Sequence, residues 1–128
     1  FAASKAFLGA PRSIALVITL GYFPFSIVVD WLTLPLTFLG STRVYMPILI
    51  LIILFSLLIY TRLPKVSRGL AIGAFILMTS MIARILDVPL CQIIPIGTHF
   101  LWHVMNAVML AWMIEVYRRH IIFKNYKL

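Results

Sequence analysis

Four uninterrupted apolar runs, each about as long as a bilayer is thick, dominate this chain. A helix needs about 17–25 apolar residues to cross the hydrocarbon core. The first run passes through "SIALVITLGYFPFSIVV" and is expected to span about residues 13–29, with Pro24 introducing a kink. The second, "VYMPILILIILFSLLIYT", covers 44–61 between Arg43 and Arg62. The third, "GLAIGAFILMTSMIARIL", covers 69–86 with Arg84 near its end; the fourth runs over about 98–117, with Glu115 in its last turn. None alternates in the manner of a membrane strand. The expected fold is therefore all-α: one membrane domain over residues 1–128, a multi-pass transmembrane helix bundle with four spans.

Composition excludes the soluble alternative. Hydrophobic residues make up 63% of the 128 and charged residues only 11%, too little polar material for a water-facing surface. The net charge of +8 does not indicate nucleic acid, because the cations form no basic face. They fall in short clusters between the apolar runs. Lys5 and Arg12 precede the first span, Arg62, Lys65 and Arg68 separate the second and third, and Arg118, Arg119, Lys124 and Lys127 follow the fourth. Nine of the eleven basic residues thus fall on one side, with Arg43 and Arg84 on the other. The positive-inside rule places the first side, and both chain ends, in the cytoplasm. Asp30, Asp87 and the loop "VPLCQIIPIG" fall on the opposite face, where Pro89, Pro95 and Gly97 predict irregular backbone and Gly97–Thr98 predicts a helix start.

The fourth run carries the chemistry. His99 and His103 stand four apart, one helical turn along one face. Polar side chains inside a span are costly and usually face a bundle interior or a water-filled cavity. Two readings fit. The pair can bind one metal through an imidazole nitrogen each. Alternatively, His99 meets headgroups at the helix start while His103 hydrogen-bonds a neighbouring helix. Phe100 replaces the glutamate that follows the first histidine in the helical zinc motif of metalloproteases. A haem held by both is not expected, since imidazoles at i and i+4 cannot take opposite axial positions. A catalytic zinc usually has three protein ligands. His120 lies seventeen residues beyond His103, across the membrane at ~1.5 Å per residue, and reads as a solvated tail residue. Cys91 lies on the correct side and is either a third ligand or a packed thiol. Trp102 either lines a substrate pocket or anchors the helix at the interface.

Residues 83–112, "ARILDVPLCQIIPIGTHFLWHVMNAVMLAW", resemble the last part of the alkaline ceramidase family, and most of all its bacterial ceramidase-like branch. Asp87 and Cys91 match an Asp followed four residues later by Cys. Pro95, Gly97, Thr98, His99, Trp102, His103, Asn106 and Ala107 match the pattern that opens the final span. The resemblance implies a seven-helix membrane protein that hydrolyses lipid amides with zinc, related to adiponectin-receptor-like hydrolases. It implies zinc ligation by His99 and His103, and a ceramide-like membrane lipid as substrate near Trp102. The family's third zinc histidine, with a serine and an aspartate, lies in helices two and three. No Ser-x-x-x-His occurs here, and neither Asp30 nor Asp87 takes the place of that aspartate; Asp87 is expected to pair with Arg84. With Phe1 at its start, the chain is expected to represent helices four to seven, with missing N-terminal helices or other membrane subunits completing the site. The resemblance favours a bacterial plasma membrane, with the ER or Golgi as the alternative. A non-catalytic subunit, or a receptor-like member that keeps the fold, is the alternative function.

Overall fold

In lipid every backbone N–H and C=O must be satisfied within the chain, and helices do this segment by segment. The computed structural model describes residues 1–91 and 97–125. Five α-helices follow one another: α1 (Ala2–Leu8), α2 (Arg12–Thr33), α3 (Met46–Leu58), α4 (Pro64–Leu90) and α5 (His99–Asn125). A 3-10 segment, Thr37–Tyr45, leads into α3. The fold is all-α, with no strand among the described residues. Four helical stretches are long and apolar enough to cross a membrane: Arg12–Thr33, Thr37–Leu58, Pro64–Asp87 and His99–Ile122. The chain is an integral, multi-pass membrane protein.

The boundaries differ from those expected at several points. The second span begins with the 3-10 segment at Thr37, not at 44, and Gly40, at φ 49°, kinks the backbone within that segment. It ends at Leu58, where the chain turns through backbone bonds from Ile59 to Phe55 and from Leu63 to Ile59. The third helix runs from Pro64 rather than from 69, with proline in its first turn, where its missing N–H costs nothing. Lys65 and Arg68 therefore lie on the helix, not in a connector. Pro89 was expected in irregular backbone but sits inside the last turn of α4, and Pro24 sits inside α2. The short α1 was not expected at all. The turn expected at Pro95 and the cation Lys127 lie outside the described residues.

Helices α4 and α5 pack antiparallel through small residues. Gly69 and Gly73, four apart, present bare backbone to α5. A Cβ on Gly69 would stand 2.7 Å from Val116 Cγ2, and one on Gly73 2.5 Å from Met113 Sδ. Small residues at this spacing let membrane helices approach closely and gain dispersion contact. Polar clasps fix the register. Trp112 Nε1 donates to Gly69 O at 2.8 Å, and Ser80 Oγ lies 2.9 Å from Asn106 Oδ1 and 3.1 Å from Trp102 O. Between α3 and α4, Ser56 and Ser67 each donate to the other's carbonyl at 2.8 Å. Around these bonds lie two apolar clusters. Leu49, Ala74, Leu77, Met81 and Met109 form one; Phe7, Ile59, Val66 and Leu70 form the other.

Helix α2 stands apart, with only Ala15, Val29 and Thr33 buried. Thr19, Ser26 and Thr33 turn their hydroxyls back on carbonyls of the same helix, Thr19 to Ala15 O at 2.7 Å, so they need no partner helix. Asp30 ties it to the 3-10 segment through Arg43 Nε at 2.8 Å. Between α2 and the rest lies an apolar groove of about 670 Å³, lined on α5 by Leu110, Met113, Ile114 and Tyr117. At the far end of α5, His120 is not solvated as expected. Its Nε2 lies 3.0 Å from Ala6 O and its ring packs edge-on against Phe7, which docks α1 there.

Candidate metal centre

The site is assembled where the end of α4 meets the start of α5. Asp87 joins the two. Its Oδ1 accepts from the backbone N–H of Thr98 at 2.8 Å and of His99 at 2.9 Å. These are orphan donors at a helix start, here capped by a carboxylate eleven residues upstream rather than by the helix's own first residue. Thr98 uses its hydroxyl elsewhere, donating to Ala83 O at 2.7 Å. Gly97 precedes it at φ 66°, and a Cβ there would stand 2.6 Å from Asp87 Oδ1 and 2.8 Å from Cys91 Sγ. Only glycine satisfies both the left-handed backbone and the lack of room.

Helical spacing then brings the two imidazoles together. His99 Nε2 and His103 Nε2 are 3.1 Å apart, with ring centroids 4.9 Å apart. Two nitrogens bound to one tetrahedral zinc at ~2.0–2.1 Å are separated by ~3.3 Å. The separation of the pair therefore matches that of two ligands on one zinc. Among the described residues, no group of three His, Cys, Asp or Glu side chains gathers around a common point.

The rest of the cluster surrounds His99. Arg84 Nη1 lies against His99 Nδ1, and Asp87 Oδ2 is 3.5 Å from the same nitrogen. The expected Arg84–Asp87 pair exists but is long, at 3.9 Å. Arg84 also stacks its guanidinium over the Trp102 ring at 5.1 Å. Trp102 itself packs against His103 at 4.3 Å, His99 at 5.3 Å and Tyr45 at 5.9 Å. It forms a wall of the histidine cluster. Its buried indole N–H has no acceptor among the described residues.

The expectation of an inward-facing pair needs correction. His103 is exposed and the His99 side chain is 42% exposed. Helix α5 turns a different face to α4, the one carrying Asn106, Met109, Met113 and Val116. His103 consequently lies on the surface of this four-span arrangement, while His99 sits at the edge of the α4 contact against Arg84 and Asp87. Cys91 is also exposed, with its Sγ 3.7 Å from Asp87 Oδ1. Desolvation at the helix end, then the neighbouring carboxylate, push its thiol above the ordinary range. That opposes the thiolate a metal would need.

Sequence reasoning missed three things here. Arg84 touches His99 as well as Asp87, Asp87 caps α5, and Ser80 holds Asn106. Each is a contact between helices, with no local pattern to reveal it. Comparison with protein-family models, curated proteins and solved structures gives no match.

Proposed function

We propose that this chain supplies two ligands of a zinc site that hydrolyses a lipid amide, in the manner of the ceramidases whose final span it resembles. The observation that carries this reading is the convergence of His99 Nε2 and His103 Nε2 to 3.1 Å at a helix start. Zinc held there would act as a Lewis acid on a carbonyl and acidify water. The chain's own residues position the ligands. Asp87 anchors the ligand-bearing turn, and Trp102 offers an apolar wall beside both rings. The remaining ligand and the proton-accepting carboxylate come from outside these residues, in upstream helices or a partner subunit.

The helix face carrying the histidines supports a lipid substrate. His99, His103, Leu110, Ile114 and Tyr117 recur at heptad-like spacing along one stripe of α5. The last three line the apolar groove beside α2. Leu110 lies seven residues from His103, about 10 Å along the axis, within reach of an acyl tail whose amide sits at the histidines. By the positive-inside rule, the histidine end faces away from the cytoplasm and both chain ends face it; the resemblance favours a bacterial plasma membrane.

The test is hydrolysis of a fluorescent ceramide by the protein carrying the upstream helices or partner subunit that complete the site; these 128 residues alone should show none. Activity that a chelator removes, zinc restores and His103→Ala abolishes supports the proposal. Zinc binding without turnover of any lipid amide would favour a non-catalytic or receptor-like role, in which the same geometry holds a structural metal.

A further inference from the structure

His99 Nδ1 has two neighbours of opposite character. Arg84 offers only N–H donors, whereas Asp87 Oδ2, 3.5 Å away, can only accept. A neutral imidazole carries one N–H, so Nδ1 satisfies one neighbour at a time. When Arg84 donates into Nδ1, the ring proton resides on Nε2. It then points at His103 Nε2, 3.1 Å away, and the two histidines hydrogen-bond to each other. When Asp87 accepts from Nδ1–H, Nε2 has a free lone pair, which is the form a metal takes.

We propose that Arg84 and Asp87 are opposed positioning residues for this pair. Arg84 holds His99 in the tautomer that closes onto His103, and Asp87 holds it in the tautomer that opens Nε2 to a metal. This rests on reading the histidines as metal ligands. Asp87 can serve both its roles because they use different oxygens. Oδ1 is fixed by the Thr98 and His99 amides, which leaves Oδ2 aimed at the ring. Arg84 stays held when it releases Nδ1, since its guanidinium already stacks over the Trp102 ring at 5.1 Å. The exchange conserves charge, because the proton leaving Nε2 is matched by one arriving at Nδ1. Carboxylates that accept from a ligating histidine are a common outer partner of protein metal sites. The unusual element is the arginine competing for the same nitrogen.

The experiment uses ¹⁵N-histidine-labelled chain in lipid nanodiscs, read first without metal and then through a zinc titration. Without metal, the native chain should show His99 protonated at Nε2, and Arg84→Met should move that proton to Nδ1. Zinc affinity should rise about tenfold in Arg84→Met, the size of one charge-assisted hydrogen bond no longer displaced. In Asp87→Asn, an amide oxygen can still accept from the Thr98 and His99 amides while an NH₂ replaces the acceptor facing the ring. Affinity there should fall about 10–100-fold, with slow exchange of both amides retained. If Arg84→Met does not fold, Arg84→Leu likewise removes every donor at that position and should shift the tautomer the same way. A native metal-free ring protonated at Nδ1, or a zinc affinity unchanged or weakened in Arg84→Met, overturns the proposal. If no form takes up zinc, the metal-ligand reading fails. The metal-free tautomers of the native chain and Arg84→Met then decide the roles of Arg84 and Asp87 by themselves.

Discussion

Replacing Gly97 with alanine should loosen the start of α5 without disturbing the rest of the bundle. Two costs add. At φ 66° an alanine bears a left-handed penalty of about 1–2 kcal/mol. Its Cβ would also stand 2.6 Å from Asp87 Oδ1 and 2.8 Å from Cys91 Sγ. The carboxylate must therefore move, weakening a cap worth about 0.5–2 kcal/mol. Lower entropy of the unfolded chain returns about 0.4–1 kcal/mol. The net cost is about 1–3 kcal/mol, localised at Thr98 and His99. The assay is native-state hydrogen exchange in nanodiscs, where those two amides should exchange about ten- to hundredfold faster. Gly21→Ala is the control. That glycine sits inside α2 with open space around its missing Cβ, so alanine there should stabilise by about 0.5–1 kcal/mol. Native-like protection of Thr98 and His99 in Gly97→Ala would refute the carboxylate cap. A loss in Gly21→Ala equal to that in Gly97→Ala would refute the local argument.

Three further outcomes follow from the same geometry. Gly69→Ala should destabilise more than Gly73→Ala in reversible unfolding from mixed micelles, within the ~1–3 kcal/mol range of overpacking; the first meets stiff, branched Val116 and the second the flexible end of Met113. Cys91 should alkylate slowly at neutral pH, with its rate rising only above the midpoint of a free thiol, since desolvation and then Asp87 raise its pKa. Asp87→Asn removes the charge but not the desolvation, so it should lower that midpoint in a pH series of iodoacetamide rates without bringing it fully to the free value. Single cysteines placed at Lys65 and Arg118 should label from one side of the membrane, and one placed at Asp30 from the other; labelling of positions 30 and 118 from one side would break the four-span topology.

Much of this architecture is legible in the sequence because the bilayer imposes one dominant rule. Long apolar runs must be helices, and the pair His99 and His103 is readable because helical spacing is fixed. What stayed hidden depends on contacts between helices. Asp87 looked like half of an i, i+3 pair with Arg84, yet its two shortest bonds reach Thr98 and His99 across a ten-residue gap. Arg84 looked interfacial but faces the imidazole. The inward orientation expected for His103 came from the general cost of polar groups in lipid. Which face of α5 meets α4 is decided instead by Gly69, Gly73 and Ser80. The glycine pair is itself a readable signal, a small-xxx-small motif within the third apolar run. The seven residues of α1 are too short to span, and their docking depends on His120 and Phe7, far apart in sequence.

Whether His99 and His103 act as one ligand pair is decided by metal binding. Zinc titration of the chain in nanodiscs, monitored by competition with a chromophoric chelator, tests it through a double-mutant cycle. His99→Ala and His103→Ala should each weaken binding by more than the ~10–100-fold lost with an outer partner, and the double variant should be little worse than either. If one single substitution left the affinity unchanged, or if the two losses simply added, the histidines would not share a metal and the account would be wrong.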